Sequence, residues 1–420
     1  MKYISTRTKK NEFSLSVALS MGVAPDGGLF VPKALSKLKI ENFKNKKGYH
    51  EIAYTLLEEF FKDDPLSSEL NTICQSAFNF PIPLTKLDEE THLLELYHGP
   101  TAAFKDVGAR FLAECFARIE QDRTILVATS GDTGGAVASA FFKRRHCRVA
   151  VLFPAGGVSP FQEHQLSCWG ENIISLKVAG DFDDCQKLVK AAFANSELCK
   201  KFNLTSANSI NLGRLLPQMT YYASSSFQYF RQYGRAPSYV VPTGNMGNVM
   251  AAIWCKLMGL PIEKIVMACN ANHVIPDYFK SHVFTPVQSQ KTLANAMDVG
   301  NPSNMERYLN LAASQGDGLL PDQAYSICDE EIKSGIIESF KKYNKILCPH
   351  TVTAWVTRQK LPGKDWIVVA TAHPAKFAET VAAATGQKII LPPALQTILN
   401  REVVCKNMNA TLSDLENNLK

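Results

Sequence analysis

"YVVPTGNMGNVMAAIWCKLMGLPIEKIVMACN" runs from Tyr239 to Asn270. A short β-branched run leads through two glycines into Val249, Met250, Ile253, Leu257 and Met258 at helical spacing, and a second apolar run begins at Lys264. Strand, glycine turn, helix and strand in that order are the unit from which parallel sheets are built. The alternation recurs in "LLELYH" from Leu93, "TILVAT" from Thr124, "RVAVLFP" from Arg148, "NIISLKV" from Asn172, "WIVVATAH" from Trp366 and "KIILP" from Lys388. The chain therefore reads as α/β, with largely parallel sheets covered on both faces. Residues 1–90 differ, being mostly helical around the Gly/Pro turn "APDGGLFVPK", and read as an N-terminal domain. Residues 91–235 and 236–420 then form a smaller and a larger α/β lobe, divided near "QYGRAPS" at 232–238. There is no internal repeat or low-complexity segment.

Composition narrows the function. With 420 residues, 46% hydrophobic and 20% charged, the chain has ample material for two or three packed domains. A net charge of +6 without a dominant basic block gives nucleic-acid binding little support; "KNKKG" at Lys44–Gly48 reads as a solvated loop. Eleven scattered cysteines without a CxxC pair suggest neither a disulfide framework nor a metal site, and fit a reducing cytoplasm. "FSLSVALSMGVA" from Phe13 to Ala24 imitates a signal-peptide core, but its serines and spacing suit a helix of the folded protein. No apolar run approaches the roughly 18 residues needed to span a bilayer, so no membrane partner is expected.

Ligands of parallel sheets collect beyond the carboxyl ends of the strands. The turns there carry the chemistry. "GNMGN" at Gly244–Asn248 brings backbone N–H groups and a helix's positive end to one point, a phosphate cradle without a basic residue; alone it is equally a tight strand-to-helix connection. It lacks the P-loop and dinucleotide spacings, which argues against nucleotide hydrolysis and hydride transfer. "SGDTGG" at Ser130–Gly135 favours a carboxylate, with Asp132 reading as a helix cap. "NSINLGR" at Asn208–Arg214 offers amides, a hydroxyl and a guanidinium for a phosphate ester or carboxylate, or an ordinary cap followed by a surface arginine. "ATAHPAKF" sets Thr371 past an apolar strand, with His373 reading as structural.

The fifth element is "YHGPTAAFKD", Tyr97–Asp106. Lys105 sits at the start of a helix whose apolar positions are Val107, Phe111, Leu112, Cys115, Phe116 and Ile119, with Arg110, Glu114 and Arg118 on the wet side. A helix N-terminus carries roughly half a positive charge, so a lysine there is at the unfavourable end. Partly desolvated, its neutral and nucleophilic form is favoured, which suits Schiff-base chemistry. An amine, a phosphate cradle and two further anion sites together point to pyridoxal phosphate and an anionic amino acid.

"HGPTAAFKD", "SGDTGG", "PAGGVSPFQ", "NSINLGRLLPQ", "PTGNMGN", "MDVGNPSNMER", "PHT" at 349 and "TAHPAKF" resemble, in this order, the motifs of the threonine synthase family, and "GVAPDGGLFVP" resembles its opening segment. The match runs from about residue 3 to about residue 380. The resemblance implies a fold type II, tryptophan synthase β-like enzyme that makes L-threonine and phosphate from O-phospho-L-homoserine and water, as a cytoplasmic monomer or homodimer. It implies that Lys105 carries pyridoxal phosphate, that Gly244, Asn245, Met246, Gly247 and Asn248 grip its phosphate, and that Thr371 meets the pyridine nitrogen. Ser130 and Thr133 would lie near substrate, and Asn208, Ser209 and Arg214 would bind the substrate's phosphate. Asp132 stands where many fold type II relatives carry asparagine beside the cofactor's 3′ oxygen, and Ala102 replaces the leucine of "TLAFKD". Two rival readings are a phospholyase or dehydratase releasing a 2-oxo acid, and a non-catalytic anion-binding protein.

Overall fold

The computed structural model of the chain describes residues 1–129, 131–314, 320–321 and 323–420. The strands are β1 (Tyr3–Ser5), β2 (Phe30–Pro32), β3 (Leu84–Lys86), β4 (Thr91–Glu95), β5 (Arg123–Ala128), β6 (Cys147–Pro154) and β7 (Ile173–Ala179). They continue with β8 (Leu204–Ser206), β9 (Ser238–Pro242), β10 (Ile265–Cys269), β11 (Ala324–Ser326), β12 (Trp366–Ala370) and β13 (Lys406–Asn409). One sheet has the order β11-β10-β9-β12-β4-β3, parallel except for the antiparallel β3–β4 edge. The second, β13-β7-β6-β5-β8, is parallel throughout, and β1 and β2 pair antiparallel.

Side-chain alternation decides what each face meets. Along β5 and β6, Ile125, Val127, Val149 and Val151 point into one large apolar core, while Leu126, Ala128, Ala150 and Leu152 join Cys185 and Leu188 of the helix Phe182–Ala194 and Leu415 in an outer cluster. In the other sheet Tyr239, Val241, Ile367 and Val369 enter the same large core, and Val240, Val368 and Ala370 pack with Val352 and Trp355 behind. Burial on both faces is why these strands read as continuous apolar runs.

The lobes are not the contiguous segments expected. β4, placed by sequence in the smaller lobe, lies between β12 and β3 of the six-stranded sheet, and β13, near the C-terminus, completes the five-stranded sheet. A strand joins the sheet that satisfies its hydrogen bonds and covers its faces, and chain order does not constrain that choice. The N-terminal segment also lacks a core of its own: Phe60, Phe61 and Ile73 belong to the large core, and Tyr3 donates its hydroxyl hydrogen to the Phe60 carbonyl at 2.8 Å. Lys388–Pro392 is not a strand. Pro392 and Pro393 withhold donors there, and Ile390 is 81% exposed. Glu114 is buried, against expectation, because Arg118 at 2.8 Å and Arg144 both pair with it.

The signal-like stretch forms the helix Leu15–Met21, capped by the Ser14 side chain, with Leu15, Ala18 and Leu19 buried. Among the described residues no helix is long and apolar enough to cross a membrane.

Arg307, on the helix Met305–Ala312, is 1% exposed and holds the N-terminal segment to the loop at Ser209 and Ile210. Its guanidinium donates to the carbonyls of Phe30 (3.1 Å), Ser209 (3.2 Å) and Ile210 (2.6 Å) and to Asn304 Oδ1 (2.6 Å). Burial alone pushes its pKa down to about 9, with Glu306 opposing. Arg307→Met would strand three carbonyls, and is expected to lower stability by about 3 kcal/mol in urea unfolding; a loss under about 1 kcal/mol would contradict this role.

Candidate active site

A cavity of about 250 Å³ lies beyond the carboxyl ends of β5, β8, β9 and β12. Lys105, Asp132, Thr133, Asn208, Ser209, Arg214, Gly244, Asn245, Met246, Gly247, Asn248 and Thr371 all line it. Ser130 lies outside the described residues. The structure thus brings together every expected site residue it describes.

Lys105 is the first residue of the helix Lys105–Phe116, and the preceding segment is bonded to the exit of β12. The Phe104 N–H donates to the Thr371 carbonyl at 2.8 Å, and the His373 N–H to the Ala102 carbonyl at 3.0 Å. Ala102 has φ +53°, in the left-handed region, so the small residue there sits at a sharp bend. Asp106 accepts from the Thr101 N–H (2.8 Å) and hydroxyl (2.7 Å), which ties the turn to the helix. The lysine amine faces the cavity while protein surrounds it. Burial pushes its pKa down to about 8; Asp132 opposes this, and Arg214 and Lys376 add to it.

Across the cavity, β9 leads through Gly244–Gly247 into the helix Gly247–Leu257. The N–H groups of that helix's first turn have no acceptor within it and point toward its positive end. Met246 holds φ +59°, a conformation an L-residue keeps only under constraint. That constraint is visible around Asn245. Its Nδ2 donates to Ser209 Oγ at 2.6 Å, its Oδ1 accepts from the Ser303 N–H at 2.5 Å, and its carbonyl accepts from Asn304 Nδ2 at 2.9 Å. Asn248 Oδ1 accepts from the hydroxyls of Tyr221 (2.5 Å) and Tyr222 (2.7 Å), leaving its buried Nδ2 without a partner.

Arg214, on the short helix Leu212–Leu215, spends one nitrogen on the Ala207 carbonyl and leaves Nε buried and unpartnered. Burial pushes it down to about 10, with Asp106 opposing, which keeps it cationic at neutral pH. Asn208 Oδ1 is also buried without a partner. The orphaned donors Asn248 Nδ2 and Arg214 Nε, with a helix N-terminus and a desolvated amine on the same cavity, are the complement of a phosphorylated aldehyde and an anionic amino acid. The residues present therefore fit pyridoxal phosphate.

Asp132 corrects one expectation. It opens the helix Asp132–Phe141 but does not cap it; the Thr129 hydroxyl accepts from the Gly131 and Gly134 N–H groups, each at 3.0 Å. The carboxylate lies 3.0 Å from Lys376 Nζ instead. Burial would raise its pKa, yet Lys376, then Lys105 and His350, hold it down at about 2.

Sequence reasoning gave no role to Lys376, His350, Ser303, Asn304 or Arg307, although the motifs quoted contain them. His350 is 4% exposed and lines the cavity. Its Nε2 accepts from the Ala296 N–H at 3.0 Å, so in the neutral ring Nδ1 carries the hydrogen, and Nδ1 has no partner. Burial, opposed by Asp132, pushes it down to about 4, so it is a fixed neutral donor. Asp298, also on the cavity wall, accepts from Thr292, Asn270 and Asn272, and burial raises it to about 6.

Fold and site define a pyridoxal-phosphate dependent enzyme of fold type II, and the family model described as "Pyridoxal-phosphate dependent enzyme" matches residues 76–372. Two narrower models, "Threonine synthase N terminus" and "Threonine synthase, C-terminal", match residues 2–78 and 350–418. The chain belongs to the threonine synthase family. It is 35% identical to the threonine synthase of Serratia marcescens over 421 residues, covering 99% of this chain and 98% of the relative. The crystal structure of threonine synthase from Escherichia coli superposes with a TM-score of 0.92 at 35% identity, covering 99% of each chain. The PLP-bound threonine synthase of Brucella melitensis gives 0.92 at 33% identity, covering 100% of this chain and 98% of that one.

A Cβ at Gly244 would lie 2.8 Å from the Met297 Cα, main chain that cannot turn aside. Gly244→Ala is expected to displace the turn and weaken pyridoxal phosphate binding about tenfold or more, measured by absorbance titration of the cofactor-free protein; unchanged affinity would refute the cradle.

Proposed function

We propose that Lys105 holds pyridoxal phosphate and that the surrounding residues convert O-phospho-L-homoserine and water to L-threonine and phosphate, the last step of threonine biosynthesis. What supports the reading most directly is the half-buried lysine at the head of the helix Lys105–Phe116, which lines one cavity with the 244–248 turn. Gly244, Asn245, Met246, Gly247 and Asn248 grip the cofactor's phosphate through main-chain N–H groups and the free Asn248 amide. The Thr371 hydroxyl meets the pyridine nitrogen as a neutral partner.

When bound, the cofactor supplies a conjugated ring that accepts the electron pair left at the amino acid's α carbon. Lys105 Nζ, its pKa lowered to about 8, removes the α proton and then a β proton, and protons return to Cγ after phosphate has left and to Cα after water has added at Cβ. Arg214, with Asn208 and Ser209, receives the substrate's phosphate, which departs from Cγ. Thr133, with Ser130, contacts the rest of the substrate. Asp132 holds its charge beside Lys105 throughout. Phe104, Phe182, Val189 and Phe193 on the cavity wall limit the water that reaches the reacting carbons, so the molecule that adds at Cβ enters under control. The enzyme works in the cytoplasm as a monomer or homodimer, and binds neither nucleic acid nor membrane.

Product analysis tests the reading. The wild-type chain is expected to release threonine and phosphate in equal amounts from phosphohomoserine, and Lys105→Ala essentially none of either. A 2-oxo acid as main product would overturn it in favour of a phospholyase or dehydratase. Separately, Arg214→Gln is expected to lower kcat/KM for phosphohomoserine about 100-fold or more, because a buried charge partner of the phosphate is lost. A loss under about threefold would remove Arg214 from the substrate site.

A further inference from the structure

Lys376 is the buried cation that the functional reading leaves without a task. It lies in the 3₁₀ turn Pro374–Phe377 after β12, is 2% exposed, and its ammonium is held by three elements at once. It donates to the Thr101 carbonyl at 2.9 Å, in the turn ahead of Lys105, and to Gln165 Oε1 at 2.7 Å, on the helix Pro160–Ser167. Its third neighbour is Asp132 at 3.0 Å, a charge contact, since the ammonium is aligned on the other two oxygens and Asp132 Oδ1 has no hydrogen bond. Burying an ammonium costs several kcal/mol unless a counter-charge accompanies it. Here the counter-charge is a residue of the active cavity.

The charges around Lys105 can be followed element by element. Its own helix brings Asp106, which is committed to Thr101. Arg214 approaches from the helix Leu212–Leu215, and His350, neutral, from the helix Pro349–Gln359. Asp132 comes from the helix Asp132–Phe141 and Lys376 from the turn after β12. Without Lys376, Asp132 would hold a proton on Lys105 and reduce its nucleophilic form. Without Asp132, two uncompensated cations, Lys376 and Arg214, would drive that proton off.

We propose that Lys376 is a positioning residue that neutralises Asp132 in place, so that an aspartate can stand beside the cofactor amine without controlling its protonation. The pair acts on Lys105 as one nearly neutral dipole, and its two charges have opposite effects when separated. The proposal rests on Lys105 being the amine that takes up the cofactor.

The test is the pH dependence of the rate at which the cofactor-free full-length chain takes up pyridoxal phosphate, followed by visible absorbance. The neutral Lys105 nitrogen attacks the aldehyde carbon, C=N replaces C=O, and the oxygen leaves as water, so the midpoint of the rate profile reports the amine. Wild type is expected to give a midpoint near the value of about 8 set by its surroundings. Asp132→Asn should move it down by about one pH unit, Lys376→Gln should move it up by about as much, and the double variant should return it to the wild-type position. Opposite shifts that cancel are what a purely structural lysine would not produce. Shifts of the same sign, or a double variant displaced further than either single one, would overturn the proposal. Should Lys376→Gln fail to fold, Asp132→Asn decides alone, and an unmoved or raised midpoint overturns it. A wild-type chain that takes up no pyridoxal phosphate would sink the functional reading itself, a failure distinct from unshifted midpoints in variants that do take it up.

Discussion

A primary amine half-buried at the positive end of a helix, with two buried cations nearby, is the constraint around which this molecule is arranged. Desolvation first, then Arg214, Lys376 and the helix macrodipole, oppose a charge on Lys105 and bring its pKa down to about 8, and Asp132, paired with Lys376, opposes them. The fold brings these influences to one place because two independent parallel sheets end there. β5 leads to the Thr129 cap and Asp132, β8 to Asn208, β9 to the glycine turn and β12 to Thr371 and Lys376. No single sheet could surround the amine in this way. The large core beneath, fed by one face of each sheet, fixes the distance between the two sets of strand ends.

The parts of the site that were legible in the sequence are those whose chemistry is local. Glycines after an apolar strand, a hydroxyl beside a helix start and a lysine where a structural lysine is disfavoured each announce themselves within a few residues. The parts that were not legible are tertiary. Arg307 in "NMER" carries no local signal, and only the folded chain shows it donating to carbonyls of Phe30 and Ser209, far away in sequence. Lys376 stands within "TAHPAKF", yet its neighbours Thr101, Asp132 and Gln165 come from three other segments. Asp132 reads as a helix cap, the commonest task of an aspartate at a helix start, and Thr129, three residues earlier, performs it.

The sheet boundaries failed for a related reason. Apolar runs locate strands but not their neighbours, so β4, legible within "LLELYH", falls by position with the smaller lobe although it pairs with β12 and β3, and β13, which has no apolar run, is not legible as a strand. "KIILP" shows the converse: its β-branched residues suit a strand, but no partner accepts them beside two prolines. Periodicity and propensity report what a segment is able to form. Hydrogen-bond partners decide what it does form.

The cradle's rigidity follows from where unsatisfied groups are left and where they are not. Asn245, Ser209, Ser303, Asn304 and Arg307 bond to one another or to main chain, so the turn carrying Met246 in its left-handed conformation is held without help from a ligand. Among the orphaned atoms, Asn248 Nδ2, Arg214 Nε and His350 Nδ1 are donors on side chains of the cavity wall, and Asn208 Oδ1 is an acceptor there. Each buried orphan costs about 1–3 kcal/mol, a burden that a chain with so extensive an apolar core can carry. A bound anion that meets such donors recovers that loss without reorganising the protein, because the groups behind them are already satisfied. The turns facing the cavity are thus held by groups that are already bonded, and their backbone enters the left-handed region at Met246, in the glycine turn, and at Ala102, ahead of Lys105.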